Sequence, residues 1–220
     1  MSPTLEIVLW WLAFAGSHLV LSSSPIRGRL VGSIGERAFQ GLYSLVVLAL
    51  FIPLVRAYFV HKHDGALLWS IPPGPLVHAV FYFGVAVAFV LVVGSQVTPS
   101  PANLVPGDPT ARGVLRITRH PFVMGTALWA VVHLVANGTS TAVAFFGGFV
   151  AFGLVGAWHQ DARKIAAAVP GYREFCASTP FLPFAGRGTL RGLREAAPAA
   201  VIGVATTVAV RYFHAAWFGG

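Results

Sequence analysis

Long apolar stretches alternate with short polar segments along the whole chain. A helix needs about 20 apolar residues to cross roughly 30 Å of hydrocarbon. Six stretches reach or nearly reach that length, so each predicts a membrane-spanning helix. They lie at about 4–23, 39–60, 75–94, 118–137, 140–159 and 197–216. The pattern predicts an all-α fold, a polytopic transmembrane bundle of about six helices in a single domain of residues 1–220.

The last of these stretches is the least certain span from the pattern alone. Arg211 and His214 lie near its end. Long basic side chains near a helix end can extend to the membrane interface, and an amphipathic segment can also lie flat on the surface. Both arrangements of the final segment stay open at this point.

The composition supports a membrane protein. The chain is 56% hydrophobic and only 10% charged, whereas soluble domains carry about 25% charged residues. A single cysteine, Cys176, excludes an internal disulfide and any cysteine-based zinc or iron–sulfur site. The formal net charge is +8. Since the cations lie between apolar stretches, we expect them to meet the lipid bilayer and expect no nucleic-acid partner.

The basic residues also predict an orientation. Twelve of the 15 lie in the first, third and fifth connections between predicted spans. Basic residues concentrate in cytoplasmic loops, so this asymmetry places both termini outside the cytoplasm. The N-terminus has Glu6 where a signal peptide would carry basic residues. We therefore expect the first apolar stretch to remain as a membrane anchor.

Three histidines, His18, His78 and His133, fall inside predicted spans. An ionisable side chain within hydrocarbon is costly and marks a functional candidate. Aromatic residues accompany each histidine in sequence, as Trp129 does for His133. Imidazole ligands among flat apolar walls are what a haem pocket requires. The three together favour a bound cofactor, although each ring alone could instead satisfy a neighbouring helix carbonyl.

The spacing of the predicted helices indicates which two of these histidines could bind one cofactor. At a rise of 1.5 Å per residue, the predicted span ends separate His18 from His133 by roughly 15 Å along the membrane normal. His78 and His133 lie at similar depth and would pair more easily. Sequence spacing therefore favours His78 with His133.

A second group of candidates lies on the predicted cytoplasmic side. Arg119 and His120 precede Pro121 at the start of an apolar stretch, and the fifth connection brings further polar and aromatic residues. The group comprises Arg116, Arg119, His120, Trp158, His159, Asp161, Tyr172, Arg173 and Glu174. These side chains could converge on an anionic ligand or form a belt at the lipid headgroups, and both interpretations stay open.

Six short sequence blocks carry further information: Gly-Ser-His (16–18), Gly-Glu-Arg-Ala-Phe (35–39), Arg-Ile-Thr-Arg-His-Pro (116–121), Leu-Trp-Ala-Val-Val-His (128–133), Gly-Ala-Trp-His-Gln-Asp (156–161) and Pro-Phe-Leu-Pro-Phe-Ala (180–185). Together they resemble the NnrU family, and within it the branch containing 15-cis-zeta-carotene isomerase. The resemblance covers roughly residues 5–190.

The resemblance implies an integral membrane protein with haem b, whose iron redox state controls isomerisation of a cis double bond in a carotenoid. His18 and His133 match that enzyme's axial ligand candidates, and we adopt them as catalytic and iron-binding residues. His78, Trp129, Arg119 and His120 complete the expected cofactor-binding set. Ala130 stands where the isomerase has a cysteine implicated in ligand switching. The substrate would be apolar and membrane-soluble, the location a bacterial inner membrane, and a homo-oligomer is possible.

Two other functions remain open from the sequence. Arg-His-Pro at 119–121 also resembles membrane methyltransferases that use S-adenosylmethionine. Such an enzyme is expected to carry a Glu-Glu pair after the fifth span, where this chain has His159-Gln160-Asp161. The third interpretation is a non-enzymatic haem or nitric oxide-related factor in denitrification, as other NnrU members suggest.

Overall fold

The structure, a computed structural model, describes residues 1–103 and 107–218, with side chains through residue 216. Within these residues the chain is helical and contains no β-strand, which confirms the predicted all-α class. A single isolated bridge pairs Leu67 with Thr139. A short 3₁₀ helix occupies Gly113–Arg116. The α-helices are α1 (Pro3–Ser22), α2 (Ser24–Ile34), α3 (Glu36–His61), α4 (Pro75–Val97), α5 (Pro121–Ala136), α6 (Ser140–Ala166), α7 (Tyr172–Ser178), α8 (Thr189–Glu195) and α9 (Ala197–Phe218).

Five of the described helices, α1, α3, α4, α6 and α9, are long and apolar enough to cross a membrane. The apolar stretch at about 118–137 corresponds to α5, a 16-residue helix that begins at Pro121. The residues before it bind another segment instead. Thr118 Oγ1 donates to the carbonyl of Phe181 at 2.6 Å, and the amide of Arg119 donates to the carbonyl of Pro180 at 2.9 Å. Proline then suits the first helical position, since it has no amide hydrogen to satisfy.

Other boundaries also differ from the sequence prediction. The span expected at 140–159 continues to Ala166, so α6 has 27 residues. The first connection contains α2, and the fifth contains α7 and α8. These three helices have only 11, 7 and 7 residues. A search for 20-residue apolar stretches passes over helices this short.

The chain divides into two compact units. The first consists of Met1–Ile71 and His133–Phe152, and the second of Pro72–Val132 and Gly153–Gly220. The first unit contains α1, α2 and α3, and the second contains α4, α7, α8 and α9. Helices α5 and α6 contribute residues to both.

Aromatic packing defines the first unit. The indole Nε1 of Trp11 donates to the carbonyl of Phe145 at 3.1 Å, which joins α1 to α6. Tyr58 of α3 stacks on Phe145 with ring centroids 4.0 Å apart and planes 4° from parallel. Gly148 lies beneath the Trp11 indole, where a Cβ atom would collide with the ring. Close approach at this glycine lets the indole pack on the α6 backbone.

Glycines also bring helices of the second unit close together. A Cβ atom on Gly203 of α9 would lie 2.8 Å from the backbone nitrogen of Val90 in α4. A Cβ atom on Gly125 of α5 would lie 2.8 Å from the carbonyl oxygen of Ala88. Small residues at such crossings allow helix backbones to approach in a lipid environment. The same unit buries an apolar cluster of Leu91, Val114, Ile117 and Ala196.

Candidate functional site

His18 lies in the aromatic interior of the first unit. It sits in the second half of α1, its side chain is half-buried, and its Nδ1 atom is buried. Its ring centroid is 5.9 Å from that of Phe14, 5.2 Å from that of Tyr43 and 5.0 Å from that of Phe152. The Phe152 ring is nearly perpendicular to the imidazole, at 89°. The imidazole is therefore surrounded by rings from α1, α3 and α6.

His133 lies in the last turn of α5, in the same unit. Its ring centroid is 5.2 Å from that of Phe146 in α6, with the planes 31° apart. Its carbonyl oxygen accepts hydrogen bonds from the backbone amide of Asn137 at 2.9 Å and from Asn137 Nδ2 at 2.8 Å. Asn137 thus closes the helix end directly after the histidine, which holds the backbone of this turn in place.

The two histidines contact α6 at positions six residues apart, Phe152 and Phe146. Six residues correspond to about 9 Å along a helix axis, less than the roughly 15 Å given by the span ends. Both imidazoles therefore lie against the same helix, less than two helical turns apart along it.

The surroundings and donors in this unit fit haem chemically. Haem iron needs only axial protein ligands, for which imidazole is suited, together with apolar surroundings. Within the part of the chain that the structure describes, no three histidine, cysteine, aspartate or glutamate side chains form a group that could hold a bare metal ion. An axial histidine pair does not need such a group. The aromatic walls come from Trp11, Phe14, Tyr43, Phe51, Phe145, Phe146, Phe149 and Phe152.

His78 and Trp129, two further expected cofactor-binding residues, belong to the second unit. His78 lies in the first turn of α4 and is exposed, with its ring centroid 6.4 Å from that of Tyr82. Trp129 is half-buried on α5. The structure therefore brings His18 together with His133 in one unit, and does not place His78 or Trp129 in that unit. The division into two units therefore does not support the pairing of His78 with His133 that the sequence spacing favoured.

Arg119 and His120 converge on Asp161 in the second unit. Arg119 Nε donates to Asp161 Oδ2 at 2.7 Å, and His120 Nε2 lies 2.8 Å from Oδ1. The Tyr172 hydroxyl also donates to Oδ1, at 2.6 Å. His120 and Asp161 are both buried. Four of the nine candidates on this side, Arg119, His120, Asp161 and Tyr172, therefore lie together, and the anion that the other three share is the carboxylate of Asp161.

The remaining contacts fix this cluster further. Arg119 donates through a terminal nitrogen to the carbonyl of Thr179 at 3.0 Å, and its guanidinium lies 5.1 Å from the ring centroid of Phe181. Burial, followed by the hydrogen bond to Asp161, raises the pKa of Tyr172 above its usual value of 10.0. The phenol therefore stays protonated and keeps its donor role across the physiological pH range. This network ties α6 to α7 and to the residues preceding α5.

The sequence of the chain matches a known protein family. The family model described as NnrU protein matches residues 6–220. The chain belongs to the NnrU family. Two curated proteins of similar sequence are both described as 15-cis-zeta-carotene isomerase, chloroplastic. The Zea mays protein is 27% identical over 195 residues, which cover 84% of this chain and 51% of that protein. The Arabidopsis thaliana protein is 29% identical over 192 residues, which cover 84% of this chain and 50% of that protein.

This NnrU protein spans about half the length of the curated relatives it matches. No solved structure gives a significant match. Both relatives are described as chloroplastic, so a bacterial inner membrane and the orientation of the termini stay predictions. The haem ligands and the other expected site residues likewise stay predictions.

The sequence also contains a periodic pattern that predicts the aromatic walls and was not used above. Phe145, Phe149 and Phe152 recur at intervals of four and three residues, the spacing of one helix face. The Phe149 and Phe152 rings pack on Trp11, and the carbonyl of Phe145 accepts from its indole nitrogen, which joins this face to α1. The partner of Arg119 could likewise be inferred from the sequence, because Asp161 is the only acidic residue of α6. The sequence pattern does not give the direction in which that carboxylate points.

Proposed function

We propose that this NnrU protein is an integral membrane haem b protein that isomerises a cis double bond in a carotenoid-like polyene. The observation that carries the proposal is the placement of His18 and His133 in one aromatic unit. The similarity to two 15-cis-zeta-carotene isomerases supplies the reaction class. Five apolar helices of spanning length support the membrane location.

His18 and His133 would hold the cofactor through their imidazole nitrogens. Bound haem would supply a redox-active iron that can interact with the polyene π-system and lower the barrier to rotation about the double bond. The protein itself would bind the polyene and orient it. The aromatic rings around His18 offer flat apolar surfaces to a long hydrocarbon, and they exclude water from it.

Access would come from the bilayer. Apolar side chains of α1 and α3 are exposed, among them Leu12, Leu45 and Ile52, each more than 60% accessible. An exposed apolar helix face is typical of contact with lipid tails. A carotenoid dissolved in the membrane would reach the unit laterally, so the reaction needs no large water-facing domain.

A visible absorption spectrum of the detergent-purified protein, as isolated and after dithionite, tests the cofactor. We expect a Soret band and sharp α and β bands on reduction. His133→Ala and His18→Ala should each lower haem content to less than a fifth of wild type. His63→Ala is the matched control, because His63 is exposed in the connection after α3. A full Soret band in both ligand variants would contradict the assignment.

A second assay separates catalysis from haem binding alone. Purified protein in lipid vesicles is given 15-cis-zeta-carotene under dithionite or under ferricyanide, and the isomers are resolved by chromatography. We expect conversion in the reduced sample and at least tenfold slower conversion in the oxidised one. Haem binding without conversion in either sample would instead support the non-enzymatic haem factor.

A further inference from the structure

The segment between α7 and α8 forms a basic cleft that the haem proposal does not use. The cleft has a volume of about 350 Å³ and lies within the second unit. Its lining includes two arginines and a run of small residues: Arg116, Ser178, Thr179, Gly186, Arg187 and Gly188. No carboxylate contributes to the lining.

The cleft offers several hydrogen-bond donors. The exposed guanidinium of Arg187 makes no ion pair with any residue in the described part of the chain. The backbone amides of Gly186, Arg187 and Gly188 donate no hydrogen bond to the described residues. Successive unbonded amides beside an arginine are suited to binding an anion.

The carboxylate that pairs with Arg116 of the lining is already engaged. Glu195 accepts from the backbone amide of Gly113 at 2.7 Å, from Arg116 Nε at 3.1 Å and from Arg191 Nε at 2.6 Å. These contacts hold the pKa of its carboxyl at about 2, with the Gly113 amide as the largest cause. Arg116 uses only Nε in this pair, and a guanidinium carries five N–H donors. Its terminal amino groups therefore remain available on the cleft side.

Exposed apolar side chains flank the cleft in sequence on both sides. Before the Gly186–Gly188 run, Leu182 is 52% exposed and Phe184 is 45% exposed. After it, Leu190 of α8 is 73% exposed and Leu193 is 46% exposed. Arginines interleaved with large exposed apolar residues are typical of a surface that meets anionic lipid. A soluble phosphate compound would give these side chains no partner.

We infer that this cleft binds the phosphate of an anionic phospholipid, with Arg187, Arg116 and the amides of 186–188 as donors. Arginine matches a phosphate through paired N–H donors. Leu182, Phe184, Leu190 and Leu193 would contact the acyl region. The inference concerns a lipid site and is independent of haem and of isomerisation.

Native mass spectrometry of the full chain in detergent tests the inference. The titrants are dioctanoyl phosphatidylglycerol, dioctanoyl phosphatidylcholine and inorganic phosphate. We expect phosphatidylglycerol to bind at least tenfold more tightly than phosphatidylcholine, because the choline cation faces an arginine cleft. Arg187→Gln should weaken phosphatidylglycerol binding about tenfold. Arg194→Gln removes the same charge from an exposed residue outside the lining, and should change binding less than twofold.

A second variant identifies the source of the phosphate. Leu190→Ser should weaken phosphatidylglycerol binding several-fold and leave inorganic phosphate binding unchanged. Equal binding of both lipids would overturn the inference, as would equal effects of Arg187→Gln and Arg194→Gln. Inorganic phosphate binding as tight as that of phosphatidylglycerol would assign the cleft to a soluble phosphate compound instead. Thermal melting of each variant verifies folding, which exposed substitutions should preserve.

Discussion

Replacing Asp161 by alanine should destabilise the second unit strongly. The carboxylate accepts hydrogen bonds from Arg119, His120 and Tyr172, at 2.7, 2.8 and 2.6 Å. Each hydrogen bond to a charged group contributes about 1.5–3 kcal/mol. Arg119 keeps its contact with the carbonyl of Thr179, which offsets part of the loss. Removing one partner of a buried ion pair costs about 3–5 kcal/mol in total, and we expect Asp161→Ala to fall in that range.

The free energy of unfolding can be measured by titrating the detergent-solubilised protein with dodecyl sulfate while following tryptophan fluorescence. Asp108→Ala is the matched control, because Asp108 is exposed and accepts a local hydrogen bond from Thr110 at 2.8 Å. Such surface substitutions usually change stability by less than about 0.5 kcal/mol. Tyr172→Phe, which removes one of the three donors to Asp161, should cost about 1.5 kcal/mol.

The double variant Arg119→Ala with Asp161→Ala gives a sharper check. Removing both charges leaves no uncompensated buried ion, so its cost should be smaller than the sum of the single costs. An Asp161→Ala protein within about 1 kcal/mol of wild type would refute the reasoning, since that is well under the cost of a broken buried pair. Strict additivity in the double variant would show that the two charges do not interact.

Three further predictions concern packing and pH. Gly203→Ala should lower the free energy of unfolding by about 1–3 kcal/mol, because its Cβ would meet the Val90 backbone. Gly156→Ala is its control: a Cβ there meets nothing within 4 Å, so the same unfolding titration should show a neutral or stabilising effect. Gly148→Ala should lower the unfolding midpoint by colliding with the Trp11 indole, whereas a Cβ at Gly147 makes only ordinary contact at 3.7 Å. The depressed pKa of Glu195, about 2 against a usual 4.5, makes its carboxylate stabilising above pH 4.5, and this contribution disappears as the pH falls toward 2. The stability difference between wild type and Glu195→Gln should therefore be constant from pH 5 to 7, shrink as the pH falls below 4.5, and vanish only below about pH 2.

The sequence predicted the long helices because apolar length is a property of the chain itself. It marked Pro121 as the start of an apolar helix, although the approximate span at 118–137 also took in the polar residues Thr118, Arg119 and His120. Only the folded chain shows that Thr118 and Arg119 bond to the fifth connection instead. The short helices α2, α7 and α8 were missed because packing, and not length or hydrophobicity, stabilises helices of this size.

The candidate site was predictable in its residue types and not in its partners. His18, His78 and His133 could be named because imidazoles are rare within apolar stretches, and the family resemblance selected His18 with His133. Spacing counted from span ends nevertheless favoured His78, because it assumed that every span begins at the same depth. The rings of Phe146 and Phe152 show where the two histidines actually lie along α6. Contacts of this kind depend on helix rotation, which a linear pattern does not specify.

The length of α5 bears on the kind of membrane that suits this protein. Its 16 residues rise about 24 Å, about 6 Å less than a typical hydrocarbon thickness. A short helix is accommodated by local thinning of the bilayer. Arg119, which lies two residues before Pro121, is paired with Asp161, so its charge at this end of α5 is compensated within the protein. The protein would therefore partition into thin membranes and deform thicker ones around α5, which shortens the distance a lipid-dissolved molecule has to cross there.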